Sequence, residues 1–356
     1  MNGSVRVRVP ATSANLGPGF DALGLALFLH DVVEARIGEP GLTIEVAGEG
    51  EATAAAGESH LVVRAMRVAF GLLDGQPPGL TLRCVNRIPH GRGLGSSAAA
   101  VVSGVLAARA LTDGGDERMP LDAVLRLASD LEGHPDNVAA CLFGGLTIAW
   151  TGGGGARALR LAPRHAIVPL VLVAPKPLAT ETARGVLPDS VPHADAAANA
   201  ARAALLVAAL TSTPENLPAA SHPAGIAGST DAGATGSADS TLTGTEEALL
   251  EGTRDWLHQP YRAGVMPVTA ELVRRLRAAG VPAVVSGAGP SVLAFLVRPN
   301  APGLTAGPGM DGLDIVDSTT RDMGIGWDIS VLDVDRRGAT IQSVTQGSVP
   351  PGGTPQ

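Results

Sequence analysis

At 356 residues the chain can bury one large core or two ordinary ones. Its formal net charge of -8, with no basic block, makes nucleic acid and anionic membrane poor partners. The two cysteines, Cys84 and Cys141, sit in no metal-ligand spacing and suit free, buried thiols in a reducing cytoplasm.

The opening residues, Met1-Asn2-Gly3-Ser4-Val5-Arg6, contain no apolar h-region, so no secretory signal is expected. Apolar runs such as Ile167–Ala174 are too short to span a bilayer. Val5, Val7 and Val9 alternate with Arg6 and Arg8, which predicts a half-buried strand. It leads into Pro10-Ala11-Thr12-Ser13-Ala14-Asn15-Leu16-Gly17-Pro18-Gly19-Phe20-Asp21, where Pro18-Gly19 predicts a turn that projects Phe20 and Asp21 into a cleft. Leu80–Val85 has strand character. After it comes Pro89-His90-Gly91-Arg92-Gly93-Leu94-Gly95-Ser96-Ser97-Ala98-Ala99, and then an alanine-rich run, Ala98–Leu111, that reads as helix.

Three glycines at alternate positions let the backbone approach a ligand, and the helix start behind them adds positive partial charge. Strand, glycine loop and helix start make a phosphate cradle. It is not a Walker A loop, because Lys176 is the only lysine in the chain. It is not a dinucleotide fingerprint either, since Gly91-x-Gly93-x-Gly95 has the wrong spacing. A glycine turn capping a helix would account for the glycines alone. The double serine argues for more: one hydroxyl is expected to cap the helix and the other to hold a cation or phosphate.

Leu121, Val124, Leu125, Ala128 and Leu131 follow helical spacing, with Pro120 in the first turn and an end near Glu132-Gly133. Gly144-Gly145 breaks to a strand, Leu146–Trp150, and Gly152–Gly155 make a loop. The second half opens with a strand, Ile167–Ala174, and a helix around Asp195–Leu210. Residues from about 214 to 245 are rich in Ser, Thr, Gly, Ala and Pro without periodicity, and are expected to be a disordered insertion. Helices are predicted at Glu246–Leu257 and Val268–Ala279. Strand Val281–Ser286 and a strand or short helix over Ser291–Val297 flank a glycine turn. A loose linker over 299–307, a final strand Asp328–Val334 and a frayed tail from Gly347 complete the reading. The domains are set at 1–160 and 161–340, with a flexible tail from 341.

Pro-x-Gly-x-Gly-Leu-Gly-Ser-Ser-Ala resembles the phosphate loop of the GHMP small-molecule kinases. Pro10–Asp21 resembles the first motif of the homoserine-phosphorylating branch, and Ser286-Gly287-Ala288-Gly289-Pro290-Ser291 the superfamily's third motif. Glu132-Gly133-His134-Pro135-Asp136-Asn137-Val138-Ala139 and His258-Gln259-Pro260-Tyr261-Arg262 extend the resemblance over nearly the whole chain. It implies an α+β fold of two lobes, the first like ribosomal protein S5 domain 2 and the second ferredoxin-like, with the active site in the cleft between. It also implies ATP with Mg²⁺, and phosphorylation of the side-chain hydroxyl of L-homoserine, a step of threonine biosynthesis. Pro89, His90, Gly91, Arg92, Gly93, Leu94, Gly95, Ser96, Ser97, Ala98 and Ala99 would bind ATP; Ser97 and Glu132 would hold the magnesium.

An amino-acid alcohol brings a carboxylate, an ammonium and a hydroxyl. A carboxylate suits arginine, which binds it bidentately. Arg184 and Arg262 match the family's two substrate arginines. Asn15, Asp21, His134, Asp136 and Asn137 would meet the ammonium and hydroxyl. An asparagine cannot take a proton at neutral pH, so Asn137 is expected to orient the hydroxyl. The proton then passes to the transferred phosphate or to Asp21. Rival readings are another GHMP kinase for a sugar, mevalonate or shikimate, of which shikimate shares the carboxylate, and a non-catalytic nucleotide-binding regulator. Oligomeric state is open, with a homodimer among the options.

Overall fold

In the computed structural model, which describes residues 3–73, 75–212, 244–298 and 311–344, Val5, Val7 and Val9 are buried and Arg6 is exposed. That is the period of two expected of a strand with one covered face. The strand is β1 (Ser4–Ala14), and from Val9 onward every residue in it is buried. Its register with β2 (Leu23–Ile37) shifts between Pro10 and Ala11, a bulge where proline cannot donate to the ladder. There follow β3 (Gly41–Gly48), a 3₁₀ segment (Glu51–Ser59), α1 (Leu61–Leu73), β4 (Gly79–Asn86) and α2 (Ser96–Leu111). Next come α3 (Gly115–Arg118), α4 (Leu121–Glu132), α5 (Asp136–Phe143), β5 (Leu146–Gly152) and β6 (Gly155–Leu161).

Helix α2 is buried on nearly every side, and its small residues make that possible. At Gly104 an added Cβ would lie 2.6 Å from the Val62 carbonyl of α1, so only glycine permits this approach. Helix α4 buries Val124, Leu125 and Ala128 and ends on Gly133, which takes the left-handed conformation that closes helices. The predicted end is the observed one.

The later elements are β7 (Ile167–Val173), α6 (Thr180–Arg184), α7 (His193–Thr211), α8 (Gly244–Gly252), α9 (Gln259–Arg262), α10 (Pro267–Ala278), β8 (Ala283–Val285), β9 (Val292–Val297), α11 (Asp311–Asp322), β10 (Asp328–Val331) and β11 (Thr340–Val344). Strands β10-β7-β9-β8 form an antiparallel sheet in that order. Leu170, Leu172, Leu272, Leu276, Ala294 and Val316 share its core with α10 and α11. The other sheet runs β11-β1-β2-β4-β3, with β5 on the other half of β2 and β6 beyond it. Here β3 and β4 are parallel, while β2 is antiparallel to β1, β4 and β5.

The chain divides into two compact units. One comprises residues up to Ala14, Asp21–Arg160 and the chain from Asp335; the other comprises Asn15–Phe20 and Leu161–Val334. Several elements depart from expectation: β2, β3, β6, α1, α5 and α11 lie in stretches for which no element is predicted, and two further cases stand out. The predicted helix to Leu257 stops at Gly252, because the Asp255 carboxylate accepts the backbone N–H of Leu257, His258 and Gln259 and so starts α9. The strand β11 is not foreseen at all. The expected insertion, apart from the two residues that open α8, lies outside the described residues, as do the 299–307 linker and the tail from Gly347.

Candidate active site

In the first unit, Gly91, Gly93 and Gly95 all take positive φ, 64°, 72° and 70°, the left-handed region that a side chain resists. Gly95 is the residue before α2, and no side chain caps the helix there. Neither serine therefore acts as the expected cap: both lie inside the first turn, two residues earlier than the predicted start. The Ser97 hydroxyl instead donates to Glu132 Oε2 at the end of α4, at 2.7 Å. The loop is tied to β1 by the Thr12 N–H, which donates to the Leu94 carbonyl at 3.0 Å.

Beside the loop lies a cavity of about 310 Å³, lined by His90, Ser96 and Ser97 together with Asp31, His60, Cys84 and Asn86. Burial pushes the Cys84 thiol up to about 12. Burial, and then the neighbouring His90, lower His60 below its usual value, so both groups are neutral at pH 7. Burial raises Asp31, partly offset by the N–H groups of Ile88 and Arg87. Asp31 Oδ1 accepts both, at 2.9 and 2.6 Å. Asp31, His60, Cys84 and Asn86 all stand outside the sequence motifs; they come from three separate segments, β2, the residue before α1, and β4, with no shared pattern.

The start of α5 holds a second cluster. His134 Nδ1 and Asp136 Oδ1 are 2.6 Å apart, and the same carboxylate oxygen accepts the Asn137 N–H at 2.7 Å. Asp136 is buried and Asn137 nearly so. Asn137 Oδ1 accepts a hydrogen bond from the Thr12 hydroxyl at 2.7 Å. Asp21, with φ 53°, is half-buried in the chain that leads into β2.

In the second unit, Asn15 and Leu16 also have positive φ, 66° and 51°. Asn15 Nδ2 donates to the Gly287 carbonyl at 2.9 Å, which brings the first motif to the third. Arg262, 1 % exposed, donates through Nε to Ala183 O at 3.0 Å and through Nη1 to Gly287 O at 3.3 Å. Its Nη1 also lies 3.0 Å from His258 Nδ1, while His258 Nε2 meets the Gly17 carbonyl at 2.8 Å. The Phe20 ring stacks on His258, with centroids 5.3 Å apart. Both guanidinium carbons lie near that ring: Arg184 at 5.8 Å and Arg262 at 5.5 Å. Five side chains from distant segments thus converge in this unit. Phe20, Thr12 and His258 stand inside the sequence motifs, but spacing gives no sign that they organise their neighbours.

Comparison with known proteins identifies the family of the chain. The chain is 52 % identical over 338 residues to a homoserine kinase of Streptomyces avermitilis, covering 95 % of each. It is 50 % identical over 345 residues to a homoserine kinase of Streptomyces coelicolor, covering 97 % of this chain and 96 % of that one. The chain belongs to the homoserine kinase family. The family models for the GHMP kinases N terminal domain and GHMP kinases C terminal match residues 60–145 and 238–302. A crystal structure of homoserine kinase from Cytophaga hutchinsonii shares the fold, with TM-score 0.72 at 23 % identity over 96 % of this chain and 98 % of that one.

The α+β class expected from the resemblance is therefore correct for this homoserine kinase family member. Among the described residues, no helix is long and apolar enough to cross a membrane.

Proposed function

We infer that this chain transfers the γ-phosphoryl group of ATP to the side-chain hydroxyl of L-homoserine. The observation that carries the acceptor is the 52 % identity, over 95 % of the chain, to a protein named homoserine kinase. The donor reading rests on the glycine loop and the cavity beside it. Neutral His60 and Cys84 in that cavity suit an uncharged nucleobase, and the loop's left-handed glycines turn backbone toward the phosphates.

Magnesium fits the Ser97–Glu132 pair, two hard oxygen donors at 2.7 Å, with further ligands to come from phosphate and water. Bound there, it would neutralise charge on the transferring phosphates. We assign Arg184 and Arg262 to the acceptor's carboxylate, since two guanidinium groups beside one ring provide concentrated positive charge. Asn15 and Asp21 are assigned to the ammonium, and Asn137 to the hydroxyl. His134 and Asp136 act through each other and through the Asn137 N–H.

In the reaction, an oxygen lone pair of the acceptor forms the new P–O bond. The bond from the γ-phosphorus to the bridging oxygen breaks, with its electron pair leaving on ADP. The hydroxyl proton leaves late, as a loose transition state permits, and passes to an oxygen of the transferred phosphoryl group or to the Asp21 carboxylate. Incubation of the protein with ATP, Mg²⁺ and L-homoserine should give ADP and a phosphomonoester on the side-chain oxygen, read by ³¹P NMR. ADP release that does not depend on the acceptor would overturn the reading.

A further inference from the structure

We propose that Thr12 is a positioning residue for phosphoryl transfer: its hydroxyl fixes the Asn137 amide with the oxygen held by protein and the nitrogen left for the acceptor. This rests on the assignment of Asn137 to the acceptor hydroxyl. The sequence sets the position. Thr12 lies in the part of β1 that is buried on both faces, and is itself wholly buried. Its β-branched side chain has few rotamers to choose among. Its N–H is taken by Leu94 O of the phosphate loop, so the backbone at this point cannot shift without moving the loop.

The side chain has one proton to donate, and donates it to Asn137 Oδ1 at 2.7 Å. Turning the amide over would set an N–H donor against that buried hydroxyl and take away the oxygen that now accepts its proton, a costly arrangement. The Asn137 N–H is held in turn by Asp136 Oδ1 at 2.7 Å, which restrains the residue from the helix side. Room for the hydroxyl exists because residue 95 is glycine: a Cβ there would lie 1.9 Å from Thr12 Oγ1 and 3.1 Å from Asn137 Oδ1. The third loop glycine thus serves the Thr12–Asn137 pair as well as the loop's own turn.

The chemical consequence is definite. With its oxygen engaged, Asn137 presents N–H donors. It can hold the acceptor oxygen by a lone pair, leaving another lone pair for phosphorus, but it cannot receive the hydroxyl proton. An amide free to turn would also offer its carbonyl oxygen and lose that orientation.

The test is a mutant cycle with Thr12→Val, Thr12→Ser and Asn137→Ala. Thr12→Val, which keeps the branched shape, should lower kcat by about 10–100-fold, with KM for ATP within about threefold of wild type. Thr12→Ser, which keeps the hydroxyl, should recover kcat to within about threefold. In the Asn137→Ala background, Thr12→Val should add less than about threefold. Thr12→Ala serves the same cycle should the valine variant fail to fold. Equal damage from serine and valine, a fully additive cycle, or a selective rise in KM for ATP would each overturn the proposal. Should the wild type turn over a different acceptor, the homoserine reading fails while the same cycle, run on that acceptor, still decides the role of Thr12.

Discussion

Replacing Arg262 with leucine should unsettle the second unit before it reports on substrate. Arg262 is 1 % exposed, and its guanidinium reaches the carbonyls of Ala183 and Gly287 and the ring of His258. Leucine fills part of the space but donates nothing. Two buried acceptors, Ala183 O and His258 Nδ1, then lose a donor, each costing about 1–3 kcal/mol, while Gly287 O keeps Asn15 Nδ2. The sum, about 2–6 kcal/mol, corresponds to a fall in Tm of at least about 4 °C at the lower end for a domain of this size. Arg184 provides the contrast. It is half-buried on the short helix α6, and Arg184→Leu should raise the homoserine KM by about tenfold or more with little change in Tm. Thermal unfolding followed by circular dichroism, paired with steady-state kinetics, separates the two. If Arg262→Leu melted within about 2 °C of wild type, the structural part given to this arginine would be wrong.

Other perturbations probe the remaining parts. Gly95→Ala forces φ 70° on a side chain and drives its Cβ against Thr12, so Tm should fall and kcat drop by about tenfold or more, measured by melting and ADP release. Glu132→Gln should raise the Mg²⁺ concentration needed for half-maximal rate by about tenfold, as a neutral oxygen replaces a carboxylate. Asp335 is buried, which alone would raise its pKa, yet hydrogen bonds from His30 and the N–H groups of Gly338 and Arg337 hold it below 3.8. Its stabilisation is therefore present above about pH 4 and lost as pH falls below that. The stability gap between wild type and Asp335→Asn, from urea midpoints, should narrow across that range.

The phosphate loop and the helix behind it were legible because their signal is local: alternate glycines, then a run of small residues. The helix α4 and its end at Gly133 were legible for the same reason. What spacing could not give is contact between distant segments. Thr12 reads as one more strand residue until α5 brings Asn137 to within 2.7 Å. Arg262 reads as a substrate ligand with no sign that its donors already hold backbone carbonyls. The strand β11 carries no periodic pattern strong enough to stand out; its place comes from pairing with β1, from Ser4 opposite Val344 to Arg8 opposite Thr340. The serine pair misled for a related reason. Sequence preference favours serine as a cap, but Gly95 already occupies that position in a left-handed turn, and Ser97 is taken by Glu132.

The central claim is acceptor identity, and a coupled ADP-release assay across L-homoserine, shikimate, mevalonate and galactose tests it most directly. L-Homoserine should give the highest kcat/KM, by about two orders of magnitude or more over acceptors that lack its paired carboxylate and ammonium. A higher kcat/KM for any of the other three would contradict the account.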